Sequence, residues 1–108
     1  MATSEDFIAY VLDQLKELDD LKCRKMFGEY AVYYKSKHLG LVCDNQLFIK
    51  PTKAGAAFIG NVQEASPYPG AKNNFLITDQ LENKQWLQKL VIMSWHELPE
   101  PKKKSSKM

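Results

Sequence analysis

Residues 23–51 read CRKMFGEYAVYYKSKHLGLVCDNQLFIKP, a stretch that constrains the fold more than any other in the chain. From residue 26 to 35 the side chains alternate, with Tyr30, Val32 and Tyr34 on one face and Ala31 and Tyr33 on the other. That two-residue period predicts a strand. Gly28 marks a bulge or a close backbone approach. Residues 35–38 (KSKH) read as a polar turn, and residues 39–43 as a second strand. Asp44-Asn45 is a two-residue hairpin signal, because both residue types tolerate positive φ. Residues 47–50 form a third strand, ended by Pro51. The stretch therefore predicts a three-stranded antiparallel meander.

The flanks predict the rest of the layers. Phe7, Ile8, Val11, Leu12, Leu15 and Leu18 recur at helical spacing, so a helix is expected over 4–18. Thr3 or Ser4 would cap it, and Asp13, Gln14, Lys16 and Glu17 fall on its polar side. After the meander, Thr52 opens a short helix with Ala54, Ala57 and Phe58 toward the sheet, weakened by Gly55. A short strand over 62–65, a loop SPYPGA over 66–71 and a strand over 74–78 follow. Asp79 with Glu82 starts the last helix, which runs to about Leu98. It is apolar around much of its circumference, more than one sheet face needs. Either the first helix covers the surplus or a second copy does, in which case Trp86, Ile92 and Trp95 are the expected dimer contacts. The fold class is α+β: a two-layer α/β sandwich on an antiparallel sheet, in the order α-β3-α-β2-α. Residues 1–98 form the domain, and the lysine-rich residues 99–108 a disordered tail.

Charge narrows the partners. The 108-residue chain has a net charge of +2, but the position of the charges matters more. Lys102, Lys103, Lys104 and Lys107 lie in the tail, so residues 1–99 carry 11 Lys/Arg against 12 Asp/Glu. Within that body, residues 5–20 hold six acids and one lysine, and residues 21–53 hold seven bases and two acids. A polarised body argues less for nucleic acid than a basic one would. No apolar run approaches the roughly 20 residues of a membrane span. The acidic start MATSEDFIAY does not resemble a secretory signal, so a cytoplasmic protein with free thiols at Cys23 and Cys43 is expected.

No catalytic constellation stands out. The serines lie outside any GxSxG elbow, there is no glycine-rich phosphate loop, and Cys23, Cys43, His38 and His96 lack the paired spacing of a zinc site. The expectation is a protein that is not an enzyme, with no cofactor and no metal. Two features carry interaction potential. Arg24, Lys25, Lys35, Lys37, Lys50 and Lys72 are interleaved with aromatics, a mixture that either contacts nucleic acid by phosphate binding and stacking or keeps strand edges soluble. Tyr68, between two prolines, either packs over the sheet or stands in a binding loop.

The string RKMFGEYAVYY, the strand ending LFIKP, the segment SPYPGAKNNFLI and the helix containing WLQKL together resemble the TfoX (Sxy) N-terminal domain family over residues 5–98. Arg24, Met26, Phe27 and Gly28 match the basic residue and MFG that open the family's sheet, and Leu47, Phe48, Ile49 and Lys50 match its later strand. Ala31 stands near where the family usually has a glycine. The resemblance implies the same α-β3-α-β2-α layers. Full-length members look like cytoplasmic regulators of competence genes that act with a cyclic-AMP receptor protein and carry a C-terminal domain not seen in this chain. It transfers no catalytic residue. The first expectation is a protein-interaction module whose partner is a protein, with the transcription machinery as one source of it and a homodimer as another. The alternative is nucleic-acid binding by the basic hairpin face and tail.

Overall fold

The computed structural model describes residues 3–26 and 29–98. The expected bulge at Gly28 and the expected disordered tail lie outside the described residues. Helix α1 (Glu5–Gln14) leads into four antiparallel strands: β1 (Leu21–Met26), β2 (Glu29–Tyr34), β3 (Lys37–Cys43) and β4 (Gln46–Ile49). Helix α2 (Lys53–Ile59), the two-residue strand β5 (Glu64–Ala65) and β6 (Asn74–Ile77) follow. A 3-10 turn (Asp79–Glu82) and helix α3 (Lys84–Glu97) complete the domain. The strands form one antiparallel sheet in the order β1-β2-β3-β4-β6-β5.

The α+β class and its element order are as expected, with one strand added. The meander has four strands because Leu21–Met26 is itself a strand. Only Leu21 and Cys23 of that strand reach the helix-side core; Lys22, Arg24, Lys25 and Met26 are exposed. Charged edge strands deter pairing with other chains, and the same charges hide the strand's period from a sequence reading. The β2–β3 and β3–β4 turns each use two residues at positive φ, Lys35-Ser36 (47° and 73°) and Asp44-Asn45 (52° and 58°). Primed turns of this kind match the sheet's twist.

The helices cover one face. Val32, Leu39, Val42, Leu47, Ile49, Phe75 and Ile77 from the sheet meet Ile8, Val11 and Leu15 of α1 and Leu87, Leu90 and Val91 of α3. Each such side chain, fully buried, contributes about 1.5–3 kcal/mol. The register shifts between Val32 and Tyr33, which lets both Leu39 and Val42 turn into this core. Between them, Gly40 has no alternative, since a Cβ there would collide with the Phe48 carbonyl on β4.

Three local expectations are corrected. Helix α1 stops at Gln14, and Gln14 is buried rather than solvated, its Nε2 donating to the Leu81 carbonyl at 2.6 Å. On α2, Gly55, Ala56, Phe58 and Ile59 face the core while Ala54 and Ala57 are exposed. Gly55 is there for closeness: a Cβ would press on Thr52 Oγ1, Phe75 and Leu90. Helix α3 begins at Lys84, because Asn83, not Asp79, accepts the capping N–H, that of Trp86, at 3.1 Å. The apolar surplus on α3 is met in part within the chain, by α1, as one of the two expected covers, and by α2 and β3, while Ile92 stays exposed.

Candidate functional site

The other face of the sheet carries the alternate residues. Register places Arg24, Ala31, Leu41, Phe48 and Leu76 in one row across five strands. Ala31 and Phe48 are buried, yet neither belongs to the helix-side core. The segment 66–74 lies across this face. Its Ser66 hydroxyl donates to the carbonyls of Tyr68 (2.5 Å) and Ala71 (3.0 Å), closing a compact loop, with Gly70 at φ 88° completing the turn. Tyr68 remains 55 % exposed and forms a wall between two clefts that share Leu41 as floor.

The first cleft, about 450 Å³, is apolar: Met26, Tyr30, Leu41, Cys43 and Tyr68 line it with one charged residue, Glu29. The strand hairpin fixes that carboxylate. Glu29 Oε1 accepts from the Thr3 hydroxyl at 2.6 Å and from the Asp44 N–H at 3.1 Å. Thr3 Oγ1 accepts in turn from the Asn45 N–H, so the chain start, β2 and the β3–β4 turn are tied together at the cleft's end. Burial raises the Cys43 thiol pKa, and the carboxylates of Glu29 and Asp44 raise it further. It is an inert apolar wall rather than a nucleophile.

The second cleft, about 490 Å³, is basic. Lys50 and Lys72 line it with His38 and the side chains of Asn73 and Asn74. Alternation along β4 puts Leu47 and Ile49 in the core and Lys50 on this face, where the Lys50 N–H donates to the Leu39 carbonyl at 2.8 Å. Burial lowers the Lys50 pKa. The His38 ring stacks on Tyr33, with centroids 5.1 Å apart, and its Nε2 lies 2.9 Å from the Gly40 carbonyl. A carbonyl only accepts, so Nε2 carries the proton. Burial and the Lys50 ammonium both lower the His38 pKa, against the pull of that carbonyl.

The structure brings three of the sequence candidates together, Lys50, Tyr68 and Lys72. The others are dispersed. Arg24 and Lys25 are exposed on β1, and alternation sends them to opposite faces. Arg24 shares a shallow depression with Lys22, Tyr33 and Asp20, and Lys22 is ion-paired to Asp20 at 3.5 Å. Lys35 stands 5.4 Å and 5.5 Å from the rings of Tyr34 and Trp95. Lys37, expected on the exposed basic face, is buried on the helix side. Its ammonium donates to the Trp95 carbonyl at 2.9 Å and sits 4.4 Å over the Trp95 ring. Of the three residues expected at a dimer contact, Trp86 packs on Phe58 (5.3 Å) and Trp95 on Tyr34 (5.9 Å), while Ile92 is exposed. Sequence reasoning missed Leu41, Glu29, Asn73 and Asn74. The bulge that shifts Leu41 to this face leaves no trace in the strand's composition, and the two asparagines read only as loop polarity.

Among the described residues, no three His, Cys, Asp or Glu side chains gather to hold a metal ion, and no helix is long and apolar enough to cross a membrane.

A helix-backed antiparallel sheet with a loop-crossed outer face defines a small two-layer α+β domain. A sequence model of the TfoX N-terminal domain matches residues 13–98, and the chain belongs to that family. It is also 38 % identical over 107 residues to a protein of Spirochaeta aurantia described as an uncharacterised 12.7 kDa protein in the trpE 5′ region. That alignment covers 99 % of this chain and 93 % of the relative, so the two are small proteins of similar length.

Proposed function

We propose that this protein is a non-catalytic interaction module of the regulator type, acting in the cytoplasm, which docks a protein partner on the outer face of its sheet. The observation that carries the reading is Tyr68: a large aromatic left more than half exposed on a short, hydrogen-bonded loop, beside an apolar cleft. Exposed aromatics with a packed base are typical anchors of protein interfaces. The cleft also indicates the partner's chemistry. Its one charged lining residue is Glu29, and among the described residues no donor is bound to Oε2. A partner segment with an apolar side chain next to a basic one fits. Membership of the TfoX N-terminal domain family supports a regulatory setting, in which the transcription machinery would supply that partner. Nucleic acid is the less favoured partner because Lys25, Lys35 and Lys37 lie away from the outer face that carries Arg24, Lys50 and Lys72.

A photo-crosslinking side chain at position 68, with one at the exposed position 16 as control, tests this in the native cell. The expected result is a discrete protein adduct from position 68 alone, joined through a segment rich in apolar and basic residues. Equal labelling from both positions would remove the reading. So would DNA binding at low salt that falls steeply as salt rises, with no protein adduct.

A further inference from the structure

The basic cleft is not used by the partner surface just described, and its lining is unusual for a structural feature. Lys50 is half-buried, and Lys72 stands on the loop that faces it across the cleft. Among the described residues, no carboxylate lines the cleft, and neither lysine takes part in an ion pair, unlike Lys16, Lys22 and Lys84. The third titratable group, His38, is held by its bond to the Gly40 carbonyl, and both Lys50 and burial keep it in the neutral form. The cleft thus gathers two lysines with Asn73 and Asn74, and among the described residues no carboxylate lines it. Its remaining surface is apolar: Leu41, Pro51, Pro67 and the ring of Tyr68. A half-buried ammonium such as that of Lys50 is costly to hold, and an anion arriving from solution relieves that cost.

The two lysines reach this place from separate parts of the chain. Lys50 ends β4, and Lys72 follows the SPYPG turn, 22 residues further on. Two elements that pack for hydrophobic reasons alone would bring apolar residues together here, as they do on the helix side. Here they set Lys50 and Lys72 at the rim of one largely apolar cleft.

We propose that this cleft binds a small organic anion, with Lys50 and Lys72 holding a carboxylate or phosphate group and Tyr68 and Leu41 holding an apolar or aromatic body. The carboxamides of Asn73 and Asn74 supply further donors to the anionic oxygens. A volume of about 490 Å³ suits a small metabolite and is too small for a folded partner. This ligand site shares Tyr68 and Leu41 with the partner surface, but its lysines lie outside that surface.

The test is a titration of the full chain, isotope-labelled for NMR, with phenyl phosphate, benzoate, inorganic phosphate and benzylamine. Phenyl phosphate or benzoate is expected to shift the signals of Lys50, Tyr68, Lys72, Asn73 and Asn74 saturably. Inorganic phosphate is expected to bind more weakly, and benzylamine not at these residues. Lys50→Met and Lys72→Met are each expected to weaken binding about tenfold. Lys72 is exposed, so its variant reports on binding even if Lys50→Met disturbs the strand end. Absence of saturable shifts with both aromatic anions would overturn the proposal. Equal binding of benzylamine would overturn it too, as would unchanged affinity in Lys72→Met.

Discussion

The two faces of the sheet are made from alternate residues of the same strands and are finished in opposite ways. On the helix side, Val32, Leu39, Val42, Leu47, Ile49, Phe75 and Ile77 make a closed aliphatic and aromatic core. The one lysine that enters that side, Lys37, is tied to a backbone carbonyl and an aromatic ring. On the outer side, an apolar row through Ala31, Leu41 and Phe48 is crossed by one short loop and flanked by charge: Glu29 at one end, Lys50 and Lys72 at the other. Core packing disfavours unpaired polar groups, and on that side the buried polar atoms without a hydrogen-bond partner, among the described residues, are the neutral Ser94 Oγ and Trp95 Nε1. A face with an exposed tyrosine and, among the described residues, cations without ion-pair partners beside apolar clefts is finished differently, and that contrast is the basis for the proposal that function lies there.

The contrast can be broken at the residue that serves both faces. Gly40→Ala would push β3 from β4 at the Phe48 carbonyl and disturb the core and the clefts together. The expected loss is about 3 kcal/mol in a urea or thermal unfolding curve. A loss below about 1 kcal/mol would mean that the strands are not so closely apposed. The next comparison sets one leucine against another. Leu47→Ala, on the closed face, is expected to cost about 3 kcal/mol; Leu41→Ala, on the cleft floor, about 1 kcal/mol. Equal costs would make the outer face a second core.

The smallest effect concerns a contact outside both faces. Glu97, at the end of α3, accepts the N–H groups of Lys53 (2.7 Å) and Ala54 (3.0 Å) at the start of α2. Its carboxyl pKa is held below the usual 4.5, chiefly by the Ala54 and Lys53 N–H groups. The unfolded chain therefore binds the proton first as pH falls. The stabilisation is fully present above the ordinary carboxylate pKa and is lost as pH falls through the lower folded value. Thermal midpoints of Glu97→Gln and the parent are expected to differ slightly above about pH 5.5 and to converge below pH 4.5. A difference that persists into acid would assign the effect to packing.

Much of this architecture was legible in the sequence. Alternation through Tyr30, Val32 and Tyr34, the Asp44-Asn45 turn, the Ser4 and Thr52 caps and the 66–71 loop all predicted what is seen, because each is a local signal. Strand β1 was not legible, since an edge strand needs only Leu21 and Cys23 for the core and fills the rest with charge. The start of α3 was misplaced because two capping signals compete within five residues and tertiary packing selects Asn83. The site was legible only in part. Lys50, Tyr68 and Lys72 were marked as candidates, but so were Lys35 and Lys37, which turned out to flank Trp95. Composition gives the charge of a lysine and not its face, and the face here depends on a one-residue bulge in β3.

Tyr68→Ala, with stability and anion binding measured on the same sample, tests the division of labour most directly. The thermal midpoint is expected to stay within about 3 °C of the parent, since the side chain is more than half exposed. The dissociation constant for phenyl phosphate is expected to rise about tenfold. A midpoint that falls well beyond that range with the affinity unchanged would contradict the account, because the loop would then be a cover for the core and not the wall of a site.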